Sequence, residues 1–406
     1  MHFHYRNIGL LTLCEALNRT CAFVLLTAMA LTGQSLAPTP GVVTVPLALV
    51  PIGTMVLTVP AAHLMSRRGR RAGFLLGAAI GIVGAAVCAW AVLTSAYILL
   101  CVGAFATGAA NGFATYYRFA ATEVVPPEWK SRAISYVMAG GIVSALLGSQ
   151  LAPWSQTLIG DHQYGGAFIC IGVLQAAVIA ILPFAGFPQV SPRQAETDAG
   201  GRSLVLIARQ SPLAMSILGA VSSWMIMSLL MHATPLSMQR AHHTFSDTTQ
   251  VIMCHALAMY APAFFTGRLV SRFGEWPVMF GGLVLTLAAS VINLGGADLV
   301  YYYAGLTLLG FGWNFLFIGS TSMLVASHTA SEKARVQSAN DALIFASMIL
   351  SSFSAGSLEH LVGWQVLNKL ALVATGAVTV VMCLLRWKGP GLPASGQLED
   401  QNRATA

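Results

Sequence analysis

The chain has 406 residues, 56% of them hydrophobic and only 9% charged, with a formal net charge of +7. A water-soluble domain carries about 25% charged residues, so these numbers exclude a soluble enzyme or nucleic-acid-binding domain and imply a polytopic membrane protein. The positive balance then reads as the Lys and Arg excess left on the cytoplasmic face of a membrane protein.

Apolar runs of roughly the length that crosses a bilayer as a helix predict twelve spans, at 8–31, 42–64, 73–93, 97–117, 134–154, 167–187, 212–235, 249–270, 277–294, 300–325, 336–358 and 366–385. The first run carries Glu15, Asn18 and Arg19 at its centre, so it reads as a retained span and not as a cleaved leader. The longest polar interruption, 188–210, holds Ser191-Pro192-Arg193 and Gly200-Gly201 and has the composition of a linker. It divides the spans into a bundle at 1–187 and a second at 211–388, followed by a polar tail at 389–406. With the N-terminus in the cytoplasm, all of the 21 Lys and Arg except Arg19, Arg240 and Lys369 fall on the cytoplasmic face, which places both termini inside. The seven cysteines lie in apolar runs with no C-x-x-C among them, which indicates neither a zinc site nor a disulfide framework.

The two halves repeat each other. Leu64-Met65-Ser66-Arg67-Arg68-Gly69 recurs as Leu269-Val270-Ser271-Arg272-Phe273-Gly274, and Asn111, Lys130, Arg132 and Ser135 recur as Asn314, Lys333, Arg335 and Ser338. Two six-span repeats of one orientation are the organisation of the major facilitator superfamily. The stretch from Ala62 to Arg71 resembles that family's G-x-L-a-D-R-x-G-R-R signature, with Ser66, and again Ser271, where aspartate is usual. The expected fold is therefore an all-α membrane protein, twelve transmembrane helices in two six-helix repeats, the major facilitator fold. No nucleophile constellation, P-loop or dinucleotide fingerprint is present, so no enzyme is expected.

Seven of the sixteen methionines fall between Met215 and Met259. Two pairs stand out there, Met227 with Met231 and His255 with Met259, each four residues apart and so on one helix face. If span seven leaves the membrane near Met238 and span eight re-enters near Asp247, both pairs lie roughly 10–18 Å deep at the 1.5 Å helical rise. Thioethers and imidazole without a carboxylate suit soft Cu(I). The plainer reading is that methionine fills gaps in an apolar core, although a histidine within a span is usually functional.

This M-x-x-x-M followed by H-x-x-x-M resembles the signature of CcoA-like copper importers, major facilitators of the bacterial inner membrane that supply copper for cbb-type cytochrome oxidase assembly. The resemblance implies copper as transported substrate and no cofactor. It implies Met227 and His255 as essential ligands, with Met231 and Met259 supporting, and cytoplasmic copper chaperones or oxidase assembly factors as partners besides the lipid bilayer. Cys254 is a candidate accessory ligand, and Met238, His242 and His243 could collect copper at the outer mouth or simply form a polar loop. Glu15 and Arg19 can pair at i, i+4, either to hold the half together or to couple transport. Asp341 is a further candidate proton carrier. The competing reading is a major facilitator for an organic solute or drug, with the Met and His residues lining its pocket; a third is a membrane-embedded copper sensor that moves nothing.

Overall fold

Inside a bilayer no water is at hand to take up backbone hydrogen bonds, so apolar runs of this length satisfy their peptide groups within helices. The computed structural model describes residues 2–126, 130–156, 158–160, 164–187, 211–328 and 332–388. Among these every long element is a helix and none is a strand. The first half runs α1 (His2–Leu36), α2 (Val45–Arg68), α3 (Arg70–Leu93), α4 (Tyr97–Ala114), α5 (Tyr117–Glu123), α6 (Lys130–Ser155) and α7 (Gly165–Ile181). The second runs α8 (Ser211–Arg240), α9 (Phe245–Tyr260), α10 (Ala263–Phe273), α11 (Glu275–Asn293), α12 (Leu299–Ala326) and α13 (Lys333–Lys388). The expected linker at 188–210 and tail at 389–406 lie outside the described residues.

Three expected boundaries change. The eighth span is two helices, α9 and α10, interrupted at Ala261-Pro262, because proline brings no N–H to continue the ladder. The eleventh and twelfth spans share α13, which turns at Gly363 (φ 74°, ψ 171°), a backbone region essentially reserved for glycine. The seventh does not stop at Pro235; α8 continues to Arg240. Among the described residues, ten helical stretches are long and apolar enough to cross a membrane. Counting α13 as two crossings and α9 with α10 as one gives twelve.

The solvent preference is inverted relative to a soluble protein. Ile98 is 76% and Leu361 77% exposed, whereas Asn7, His255, Asn293 and Asn368 are each at 0%. Lipid is as apolar as leucine, so exposed Val and Leu cost nothing there, while polar groups are drawn inward. In the first half Phe74 stacks on Tyr117 with centroids 4.1 Å apart. In the second, the core around Leu230, Met231, Tyr302 and Leu306 also takes in Phe23 and Ala145 from the first half.

Helices alternate in direction, so the connections after α1 and α8 share one end, and the turns at Gly69 and Gly274 share the other with Arg67, Arg68, Arg70, Arg71, Arg268 and Arg272. The halves are hydrogen-bonded near the first end. Thr44 Oγ1 donates to the Phe353 carbonyl at 3.1 Å and accepts from the Gly356 N–H at 3.1 Å; Ser357 Oγ donates to the Gly41 carbonyl at 2.8 Å. Thr249 Oγ1 donates to the Ser149 carbonyl at 3.3 Å, and Ser149 Oγ meets the Met253 sulfur at 3.1 Å. At the arginine-rich end Ser66 and Ser271 only cap their own helices, to the His63 and Arg268 carbonyls. Charge pairing there comes instead from Arg70 to Glu123, at 2.6 and 3.1 Å.

Candidate functional site

Both soft-donor pairs lie in the interior of the second half. Met227 and Met231 project from α8 and His255 and Met259 from α9, and all four are buried, His255 completely. The three methionines belong to one core cluster with Ile226, Leu230, Ile252 and Trp313. Met259 is held by its backbone: Asn314 Nδ2 donates to its carbonyl at 2.7 Å, while Thr266 Oγ1 donates to Asn314 Oδ1 at 2.6 Å. In the first repeat Asn111 meets Thr54 Oγ1 at 3.5 Å. The two asparagines thus bridge equivalent helices, as expected of polar residues in spans.

His255 has a defined tautomer. Its Nδ1 lies 2.7 Å from the Leu306 carbonyl of α12, an oxygen that can only accept, so the ring proton sits on Nδ1 and Nε2 carries a lone pair. That Nε2 is buried and has no hydrogen-bond partner among the described residues. A carbonyl behind an imidazole is the usual way to aim the other nitrogen at a ligand. It is available to a metal ion or to a donor group on an organic solute. Among the described residues no three His, Cys, Asp or Glu side chains converge, so a metal here would be held by thioethers and one imidazole.

The accessory candidates do not join the group. Met238 lies inside α8, fully buried, because the helix runs through Pro235; it is not at the mouth. His242 is exposed in the turn after α8 with φ 61°. His243 Nε2 bonds the Ala297 carbonyl at 2.7 Å, and its ring stands edge-on to Tyr302. Cys254 is a free, half-buried thiol. It neighbours Tyr303.

A polar group spans the two halves elsewhere. Glu15 and Arg19 of α1 pair at 2.7 Å, and Tyr260 at the end of α9 faces the Arg19 guanidinium. Gln175 Nε2 donates to Asn18 Oδ1 at 3.1 Å. Asp341 of α13 is exposed and has Arg118 of α5 as its electrostatic neighbour. At the opposite end, a cavity of about 330 Å³ is lined by Gln34, Thr39, Val43, Arg240, Glu359 and His360. Arg240 there pairs with Glu359 at 3.3 Å.

Three side chains escaped the sequence reading. His232 follows Met231 on α8, and its Nδ1 is buried without a partner among the described residues; the criterion that flagged His255, a histidine within a span, applies to it equally. Trp224 stands one turn before Met227, and Trp313 lies on α12. Their rings meet edge to face, with centroids 5.0 Å apart. Nothing local links positions 224 and 313 in the sequence, so only the fold could reveal that contact.

The model of the Major Facilitator Superfamily matches this chain over residues 8–294 and 216–404. The riboflavin transporter RfnT of Brucella anthropi is 36% identical over 389 residues, which is 96% of this chain and 98% of that protein. Among solved structures, the nucleoside transporter NupG superposes with a TM-score of 0.71 at 12% identity, covering 93% of this chain and 99% of that one. An autoinhibited POT family peptide transporter gives 0.70 at 13% identity, covering 96% and 98%. At such identities the structural likeness speaks for the fold alone.

Proposed function

This chain belongs to the Major Facilitator Superfamily and is a multi-pass membrane transporter, not an enzyme; from that premise we propose that its cargo is a small organic solute built on a flat heteroaromatic ring, of the flavin type. The observation that carries the reading is the end-to-end relationship, at 36% identity, to a riboflavin transporter. This favours the organic-solute alternative over copper. The Met, His and Trp side chains on α8, α9 and α12 then line an apolar, aromatic pocket, which is the usual make-up of small-molecule sites. The test is saturable uptake of radiolabelled riboflavin by riboflavin-auxotrophic bacteria expressing the chain. Uptake no faster than in cells carrying the empty vector sinks the flavin reading.

Transport proceeds by rocking one six-helix bundle, 1–187, against the other, 211–388. The arginine-rich end faces the cytoplasm, by the positive-inside rule, with both termini inside a bacterial inner membrane. The hydrogen bonds that Thr44 makes with the Phe353 carbonyl and the Gly356 N–H then hold the halves together at the outer end.

One observation favours a second reading, copper import: His255 Nε2 is buried with no hydrogen-bond partner among the described residues, and Met259, one turn further along α9, shares a core cluster with Met227 and Met231. Neutral soft donors would hold a monovalent copper ion without a buried counter-charge. Radioactive copper uptake by wild type, Met227→Ala and His255→Ala decides this. Wild-type uptake lost in both variants supports copper; no uptake by wild type removes it, together with the chaperone and oxidase-assembly partners that copper would bring.

A further inference from the structure

Trp224 of α8 and Trp313 and Phe317 of α12 form a three-ring group in the second half. Trp224 stands edge-on to both partners, 5.0 Å from Trp313 at 87° and 5.7 Å from Phe317 at 84°; Trp313 and Phe317 lie nearly parallel, 5.0 Å apart at 20°. Edge-to-face and offset stacking at such separations are favourable in themselves, so helix packing explains the rings. It does not explain the nitrogens. Both indole Nε1 atoms are buried, and neither has a hydrogen-bond partner among the described residues. A buried tryptophan N–H normally finds an acceptor, and here two fail to do so within one contact group.

We propose that this aromatic group is the subsite that selects the cargo's ring, with the two indole N–H groups as the donors that read its acceptor atoms. The proposal rests on the reading of the chain as a carrier of an organic solute, and it names the chemistry that the carrier recognises. An indole N–H is a donor without a lone pair to give, so it offers nothing to a metal ion. It is satisfied by a ring nitrogen or a carbonyl oxygen. The electron-rich faces of Trp313 and Phe317 favour a planar, electron-poor partner. Trp224 and Phe317 pack against the apolar core that contains Trp313, with Leu230, Leu309 and Met227 in the same cluster. Met227 and Met231, three and seven residues beyond Trp224, continue the same face of α8 with deformable thioethers that fit against a flat surface. The cargo class is therefore a heteroaromatic ring system with at least two acceptor atoms; a plain aromatic hydrocarbon would leave both donors unmet.

The experiment uses the full chain in lipid nanodiscs, with equilibrium dialysis of riboflavin, lumichrome, adenosine and an anthracene bearing a hydroxylated side chain. Wild type is compared with Trp224→Phe and Trp313→Phe, which keep a ring and remove the N–H, and each is checked by thermal melting. Each variant is expected to weaken heterocycle binding about tenfold, the worth of one hydrogen bond, with an unchanged melting temperature, and wild type is expected to bind the anthracene far more weakly than riboflavin. If riboflavin binds and both variants match wild type, the subsite is wrong while the flavin reading survives. If riboflavin fails but lumichrome or adenosine binds and the variants weaken it, the subsite stands and the flavin reading falls. If wild type binds no heterocycle, or binds the anthracene as tightly as the flavin, the proposal is overturned; the anthracene comparison needs no variant to fold.

Discussion

Gly69 and Gly274 carry the same backbone geometry, φ 87° with ψ 160° and φ 87° with ψ 167°, one in each half of the chain. Each ends a helix with its N–H bonded four residues back, to the Met65 carbonyl at 3.0 Å and the Val270 carbonyl at 2.8 Å, and each starts the next helix. The repeated Ser-Arg-x-Gly segments thus fold alike although Ser66 and Ser271 carry no charge. What the repeat preserves at these turns is the backbone, and a side chain is tolerated poorly in that region.

Substituting Gly274 with alanine isolates this effect, because the nearest atom to the added Cβ is Pro277 Cδ at 4.0 Å and space is not limiting. The expected cost is about 1–3 kcal/mol, from backbone strain alone, read as a lowered melting temperature in detergent. An unchanged melting temperature for Gly274→Ala would show that the turn relaxes and that the glycine is incidental.

The N-terminus of α9 is capped by a reciprocal pair. The Asp247 N–H donates to Thr244 Oγ1 at 3.1 Å, while Asp247 Oδ2 accepts from the Thr244 hydroxyl at 2.6 Å and from its N–H at 3.0 Å. Thr244→Ala is expected to cost about 1 kcal/mol, as for other lost N-caps. The Thr244 hydroxyl, then its backbone N–H, hold the Asp247 carboxyl below its ordinary range. A depressed carboxylate pKa contributes stability above its unfolded value and loses it as pH falls through the folded one. Wild type should therefore outlast Asp247→Asn at neutral pH, with the gap closing below about pH 4, the ordinary aspartate value. A gap that is the same at pH 3 and pH 7 would refute the capping role of the charge.

The fold was legible because bilayer thickness imposes one length on every span, and the burial of Met227, Met231, His255 and Met259 because four-residue spacing puts each pair on one helix face. Met238 was misplaced because Pro235 reads as a helix end, whereas a membrane helix tolerates proline when its neighbours satisfy the freed carbonyl. The Trp224–Trp313 contact joins helices that only packing brings together. His232 was legible by the rule applied to His255 and lacked only a partner at ligand spacing. The resemblance to copper importers rested on four side chains, whereas the relationship to the riboflavin transporter runs through 96% of the chain.

The contact between Thr44 and Gly356 is a steric key at the closed end. A Cβ built on Gly356 would meet Thr44 Cγ2 at 2.7 Å and Oγ1 at 2.9 Å, so Gly356→Ala is expected to push the halves apart there. Spin labels at Thr39 and His360 should report a distance distribution shifted to longer values in the variant. Under the proposed orientation, in which this end must close before cargo is released inward, uptake should fall several-fold, on the order of 1 kcal/mol in the equilibrium between states. An unshifted distribution would mean that local rotation of Thr44 absorbs the methyl group.

His255 separates the two cargo readings most sharply. Its Nδ1–H donates to the Leu306 carbonyl and its Nε2 is buried without a hydrogen-bond partner among the described residues. Glutamine keeps a donor for that carbonyl and an oxygen acceptor for a solute, but amide oxygen is a hard, poor ligand for monovalent copper. Under the flavin reading His255→Gln should retain riboflavin uptake within about threefold, well under one hydrogen bond to a charged group. Under the copper reading it should abolish copper uptake as completely as His255→Ala does. Uptake of both cargoes is measured at matched membrane expression. Loss of riboflavin transport in the glutamine variant, with normal melting, would assign the Nε2 lone pair itself to the solute and rule out a merely pocket-lining role for this side chain.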